Sequence, residues 1–231
     1  MRGIAGQDIL AMMRTHAAVL REIGHPGPYV ETRPLAIEEV ELDPPGPGEV
    51  LVRVRAAGLC HSDLSVIDGN RPRPMPMVLG HEAAGVVESV GSGVHSLSPG
   101  DHVVAAFVPS CGHCAPCVTG RPALCEPGFK ANTAGTLLSG ARRLHDSHGE
   151  VHHHLGVSAF ARHAVLAANS LVRVPGDLPF AEAALFGCAV ITGVGAVVNT
   201  AAMPRGASVA VVGLGGVGLA ALLAARMLEA R

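Results

Sequence analysis

Through most of the chain, hydrophobic and polar positions change over with a period of two. Val50, Val52 and Val54 alternate with Leu51, Arg53 and Arg55, the pattern of a strand with one face on a core. Before it, Ile37, Val40 and Leu42 mark a strand that ends in the turn Pro44-Pro45-Gly46-Pro47-Gly48. Met13-Arg14-Thr15-His16-Ala17-Ala18-Val19-Leu20 reads as the first strand, so Met13 is the expected initiator and residues 1–12 an N-terminal extension without pattern. Strands over 84–90 and 102–108 flank the turn at Pro99-Gly100-Asp101. Short strands continue to about residue 175, interrupted by a cysteine-rich stretch and a polar region over 139–154. After Pro175 the period lengthens: 179–187 and 190–202 read as helical, 208–212 as a buried strand, and 219–228 as a helix. The pattern therefore predicts an extension over 1–12, a β-rich unit over 13–185 and the start of an alternating α/β unit over 186–231, with no internal repeat.

Two uncharged runs, 183–203 and 207–225, are long enough to span a bilayer, but glycines break both, and strand, turn and helix account for the second. No signal peptide is visible, and the expected location is cytoplasmic. The 17 basic and 19 acidic residues give a net charge of -2 with no block of like sign, which excludes a nucleic-acid or anionic-membrane partner as the expectation.

Composition changes this picture at the cysteines. Five of the six fall between Cys60 and Cys125. Cys111, Cys114, Cys117 and Cys125 follow Cys-x2-Cys-x2-Cys-x7-Cys, four soft thiolates within fifteen residues, which suits a closed tetrahedral zinc site. An iron–sulfur run begins with the same spacings, but its fourth cysteine follows after three residues and precedes proline; here Glu126 stands between Cys125 and Pro127. Disulfides are disfavoured, because a chain of 231 residues can bury a core without staples.

Two further features carry chemistry. Gly213-Leu214-Gly215-Gly216-Val217-Gly218 sits between the expected strand and helix, the context in which a dinucleotide pyrophosphate meets a helix N-terminus. The acidic residue that would bind the ribose falls near or beyond Arg231, so NAD and NADP stay equally open. Cys60 and Cys188 lie outside the lobe. With His81 they make a Cys2His set able to hold a metal with one open position, although no spacing joins them, and a lone Cys188 in an apolar stretch also reads as a small buried hydrophobe.

Gly80-His81-Glu82-Ala83-Ala84-Gly85, followed by Gly91 and Val94, resembles the zinc signature of the medium-chain alcohol dehydrogenases. Cys60-His61-Ser62-Asp63 is similar to that family's first catalytic ligand segment, Gly187-Cys188 to its third, the four-cysteine lobe to its structural zinc site, and Gly213 to Gly218 to its coenzyme turn. The resemblance covers residues 13–231 and implies a GroES-like β-rich catalytic domain followed by the beginning of a Rossmann coenzyme domain. It implies two zinc ions. One is catalytic on Cys60, His81 and Cys188, with Glu82 as an alternative or outer ligand; the other is structural on Cys111, Cys114, Cys117 and Cys125. It further implies that Asp63 fixes the His81 tautomer, that Ser62 takes the alcohol proton, and that His61 lies by the coenzyme phosphates. Thr192 and Val217 would lie by the nicotinamide, and Phe107 and His154 would line the substrate pocket. The implied reaction is hydride transfer between an alcohol and NAD or NADP, with a small-molecule alcohol or aldehyde as partner; members assemble as homo-oligomers, which these residues leave undecided.

Departures refine the expectation. Ser65 replaces a histidine that relays protons in many members, and Asn70, Arg71 and Phe129 stand near positions that are charged differently in the glutathione-dependent formaldehyde dehydrogenases. A plain primary or aromatic alcohol is therefore the expected substrate. The family's coenzyme domain is a six-stranded sheet, whereas this sequence stops in the first helix after the first strand. The expectation is weak coenzyme binding by these residues alone, and the second reading is a zinc-binding GroES-like module without turnover. The run His152-His153-His154 reads as a pocket loop in preference to a metal tract.

Overall fold

The computed structural model of the protein describes residues 12–107 and 109–231. Of the expected extension over 1–12, all but the exposed Met12 lies outside the described residues. In chain order, β1 (Met13–Leu20) is followed by a single helical turn α1 (Tyr29–Thr32), β2 (Leu35–Leu42), β3 (Glu49–Gly58), α2 (His61–Ile67), β4 (Met77–Val78), β5 (Glu82–Val90) and β6 (His102–Ala105). The cysteine lobe contributes α3 (Ala115–Val118) and α4 (Glu126–Ala134); β7 (Leu144–Asp146), β8 (Gly149–His153), β9 (His163–Ala167) and β10 (Leu171–Arg173) follow. The rest is helical: α5 (Phe180–Ala183), α6 (Ala189–Gly195), which runs on through a π-type turn over Ala196–Thr200, and α7 (Gly216–Met227).

The strands form a closed barrel in the order β1-β2-β7-β8-β4 and a five-stranded sheet in the order β10-β6-β5-β3-β9. All pairs are antiparallel except β4 with β8. The alternation on β3 gives the reason: Val50 and Val52 are buried in a core with Ala83, Val87, Val103 and Leu166, while Arg53 on the opposite face is exposed and pairs with Glu88. The barrel has its own core of Val19, Val40, Leu42, Val78, Leu144 and Val151. Residues around Phe160 join the two: Ala18 N donates to Phe160 O at 2.7 Å, and Arg162 links His16 of β1 to Val54 of β3. A third cluster, Leu20, Val66, Ile67, Met77 and Leu79, seats α2 against the barrel.

Two register shifts in β3, between Leu51 and Val52 and between Val54 and Ala56, mark bulges that bend its end and bring Gly58 opposite Glu82. On the far side of this sheet, Ala183 and Ala184 pack on Ala84 and Val104. The helical turn Ala184–Gly187 then runs so close to β6 that a side chain at Gly187 would collide with the Ala105 carbonyl. This close approach sets Cys188 against the sheet end that carries Glu82. Helices α6 and α7 make a separate small core of Val197, Ala221, Ala224 and Ala225.

Three expectations need correction. Residues 208–212 form no ladder; Val209 is exposed and Val212 is fully so. Their apolar run matches a parallel strand, but such a strand takes its hydrogen bonds from neighbours, and among the described residues none lies beside it. The region 139–154 is not a polar interruption, because β7 and β8 close the barrel there, with Leu144, Val151 and the fully buried His153 facing inward. The strand expected over 102–108 is limited to His102–Ala105. The expected helices over 179–187, 190–202 and 219–228 are all present within a few residues.

Candidate active site and metal centres

Cys60 caps the N-terminus of α2 in an extended conformation, immediately after the bent end of β3. That helix carries Asp63 on its buried face and His61 on its exposed one, with Ser62 partly buried between them. Glu82 opens β5 and His81 directly precedes it, after Gly80, whose φ of +89° and tight approach to Phe160 exclude a side chain. Cys188 comes from the turn before α6. These four residues, distant in sequence, bring one sulfur, nitrogen or oxygen atom each to within 4.8 Å of one another, and His81, Glu82 and Cys188 are buried.

Behind this group, Asp63 Oδ1 accepts the Gly80 N–H at 3.0 Å and lies 3.2 Å from His81 Nδ1. The carboxylate thus holds a proton on Nδ1 and leaves Nε2 of His81 as the free lone pair, the arrangement a metal-binding histidine uses. Burial pushes the Cys188 thiol up to about 12, and the neighbouring Cys60 and Glu82 add to the effect. Two thiols and a carboxylate converging on an imidazole nitrogen, with the Cys188 thiol raised among them, are the chemistry a dication relieves, so the donor set fits zinc.

The second group lies in the lobe. The four sulfurs of Cys111, Cys114, Cys117 and Cys125 lie within 4.8 Å of one another. Cys114 Sγ is 3.5 Å from Cys117 Sγ and 3.9 Å from Cys125 Sγ. A tetrahedron with zinc–sulfur bonds of 2.3 Å requires separations of about 3.8 Å, so this set also fits. Backbone N–H groups serve the sulfurs: Cys111 N and Gly128 N point at Cys125 Sγ at 3.2 and 3.3 Å, and Cys114 N at Cys111 Sγ at 3.3 Å. Hydrogen bonding from the His113 N–H, with that of Cys114, lowers the Cys111 thiol to about 6, whereas desolvation and the neighbouring sulfurs push Cys117 up to about 12. A shared cation would bring all four to the thiolate form.

The glycine turn is placed differently from both groups. Gly213 has a φ of +95°, Gly215 caps α7 and Gly216 begins it; Gly218 packs against the Gly213 carbonyl with no room for a side chain. Val217 and Gly193 are in close approach, so the coenzyme-side candidates Thr192 and Val217 sit on two touching helices, both exposed. Thr192 N donates to Cys188 O at 3.0 Å, which ties α6 to the first metal group.

The three histidines of the run separate. His152 Nδ1 lies 3.0 Å from the Pro76 carbonyl, His153 Nε2 accepts the Arg143 N–H at 3.0 Å, and only His154 faces Asp63 and His81. Phe107 and His154 flank the His81 ring with centroid separations of 5.6 and 5.7 Å. Sequence reasoning missed Gly58, which leaves room for the Glu82 carboxylate, and the Gly80 N–H that holds Asp63. Neither has a local signature, because both depend on register between strands and helix.

A β-barrel and sheet that present one mixed Cys/His/carboxylate group and one four-cysteine lobe define a GroES-like domain of the zinc dehydrogenase type. Residues 46–176, more than half of the chain, match the alcohol dehydrogenase GroES-like domain, and the chain belongs to that family. It is 42% identical over 210 residues to putative alcohol dehydrogenase D of Mycobacterium tuberculosis, a match covering 91% of this chain and 55% of the relative. It is 40% identical over 217 residues to S-(hydroxymethyl)glutathione dehydrogenase of Paracoccus denitrificans, covering 93% and 56%. Among solved structures it is similar to an alcohol dehydrogenase zinc-binding domain protein from Burkholderia ambifaria, with a TM-score of 0.86, 42% identity and coverage of 94% and 57%. Benzyl alcohol dehydrogenase from Acinetobacter calcoaceticus gives a TM-score of 0.84, 36% identity and coverage of 94% and 57%. The chain thus spans just over half the length of these relatives. No single helix among the described residues is long and apolar enough to cross a membrane.

Proposed function

We propose that this chain carries the catalytic part of a zinc-dependent alcohol dehydrogenase, which moves hydride between a primary or aromatic alcohol and NAD or NADP. The observation that supports this best is the convergence of Cys60, His81 and Cys188 from three separate parts of the chain, with Glu82 beside them and Asp63 behind His81. In this reading Cys60, His81 and Cys188 hold the catalytic zinc and Glu82 is an exchangeable or outer ligand; the lobe cysteines hold a second, structural zinc. When bound, the catalytic zinc supplies a Lewis acid that makes the alcohol a stronger acid.

The chain's own residues do the rest. Asp63 keeps His81 in one tautomer and orientation. Ser62, at the start of α2 and two residues from Cys60, receives the alcohol proton, and His61 on the same turn passes it toward solvent or meets the coenzyme phosphates. Phe107 and His154 wall the substrate beside His81. Residues 186–231 are the start of the coenzyme-binding unit, in which Gly213, Gly215, Gly216 and Gly218 admit the pyrophosphate and Thr192 and Val217 approach the nicotinamide. The benzyl alcohol named for one neighbour supports an aromatic substrate, while the relative that acts on a glutathione adduct keeps that chemistry within range of the family.

One observation favours a second reading, a zinc-binding module without turnover. Dinucleotides bind where parallel strands diverge, and residues 208–212 have no neighbouring strand among the described residues. The test is titration of the zinc-loaded chain with NADH and NADPH, followed by a panel of ethanol, benzyl alcohol and their aldehydes. Saturable binding with alcohol-dependent reduction of NAD or NADP is the expected outcome. Full zinc loading with neither binding nor turnover would leave the module reading.

A further inference from the structure

Two imidazoles meet at Asp63. His81 Nδ1 lies 3.2 Å from Asp63 Oδ1, and His154 Nε2 lies 3.4 Å from the same oxygen. The two rings stand edge to face at 71°. All three side chains are inside the protein: His81 and His154 are each 1% exposed and Asp63 is 4% exposed. Neither ring nitrogen of His154 has an aligned hydrogen-bond partner, and Asp63 Oδ2 also has none. Leaving a buried polar group unpaired is destabilising, so the position demands compensation, and Asp63 is the charged group within reach. The backbone holds the ring there. His154 N donates to Ser158 Oγ at 2.9 Å, and Val157 N and Ser158 N both donate to His154 O.

We infer that His154 is a positioning residue of the candidate catalytic centre, whose Nε2–H shares Asp63 with His81 and holds the carboxylate on the His81 Nδ1–H. The inference rests on the zinc reading given above. Gly80 N and His81 Nδ1 are hydrogen-bonded to Oδ1 and His154 Nε2 stands 3.4 Å from it, so the carboxylate has a polar neighbour on three sides and His81 Nε2 is presented to the metal. The tautomer follows: His154 carries its proton on Nε2 and leaves Nδ1 as a buried acceptor. A phenylalanine would fill the same space but give Asp63 nothing.

Cobalt(II) is the probe. In the full chain, the cobalt signal lost in a Cys60→Ser/Cys188→Ser variant belongs to this centre and the remainder to the lobe. His154→Phe keeps a ring and removes the donor; His154→Gln keeps an N–H. The expected result is that His154→Phe weakens cobalt at the catalytic centre by about 10- to 100-fold and shifts its ligand-field bands. The lobe signal should be unchanged, and His154→Gln should recover most of the affinity. Wild-type affinity and bands in His154→Phe would overturn the inference, as would equal loss in both variants, which would assign His154 to packing. Should the wild type show no cobalt signal dependent on Cys60 and Cys188, the zinc reading fails, and ring-nitrogen NMR of the metal-free chain decides the shared carboxylate separately. An Nε2–H tautomer at His154, with both rings shifting in Asp63→Asn, supports it; an Nδ1–H tautomer overturns it.

Discussion

Gly58 illustrates how much of this site is decided at single residues. It faces Glu82 across β3 and β5, and a methyl group there would overlap the Glu82 carboxylate. Gly58→Ala is expected to displace Glu82 and to cost about 1–3 kcal/mol, the range for forcing extra volume into a packed interior; urea denaturation measures it. His153 gives a pH prediction of definite sign. Burial lowers it from the ordinary 6.5 to about 3, and its Nε2 lone pair accepts the Arg143 N–H, so the folded chain prefers the neutral ring. The unfolded chain takes up the proton first as pH falls. The contribution of His153 is therefore level above about pH 6.5 and declines below it toward pH 3, by at most about 1.4 kcal/mol per pH unit. The urea midpoint of the wild type should fall more steeply between pH 6.5 and 5 than that of His153→Gln; equal slopes would contradict this. Asp63→Asn removes the carboxylate behind His81 and should cost about 10- to 100-fold in zinc affinity at the first centre alone, read by competition with a chelator.

At the scale of elements, legibility follows how local the cause is. The lobe ligands fall within fifteen residues, so spacing alone brings Cys111, Cys114, Cys117 and Cys125 together, and the structure places their sulfurs at zinc-compatible separations. Cys60, His81 and Cys188 have no such spacing; only the family resemblance joins them, and the bulged end of β3 and the close approach at Gly187 supply the physical reason. β7 and β8 were hidden because their inward positions include His153, whose burial no hydropathy pattern predicts. Residues 208–212 depart from their pattern for the opposite reason: an apolar run specifies a strand only where neighbours complete its ladder. Among the described residues, none from 111 to 130 belongs to either sheet core. Chelation should therefore remove amide protection over 111–130 while β3 and β5 keep theirs, as hydrogen exchange by mass spectrometry would show; loss of protection throughout would contradict an independently folded lobe.

At the scale of the molecule, barrel and sheet form a scaffold on which two candidate metal groups are separate in position and different in chemistry. The first is mixed, backed by Asp63 and His154, and lies where α6 leaves the sheet; the second is all sulfur. Helices α6 and α7 leave Ile191, Val198, Leu219, Leu223 and Met227 exposed around a small core of alanine and valine. The account rests on two zinc sites with independent ligands, and the most direct measurement is zinc content per chain in paired variants. The wild type should hold two zinc ions, Cys60→Ser/Cys188→Ser one, and Cys114→Ser/Cys117→Ser one, with the zinc retained in each variant coming from the other site. A wild type with a single zinc that survives loss of Cys60 and Cys188 would contradict the catalytic centre.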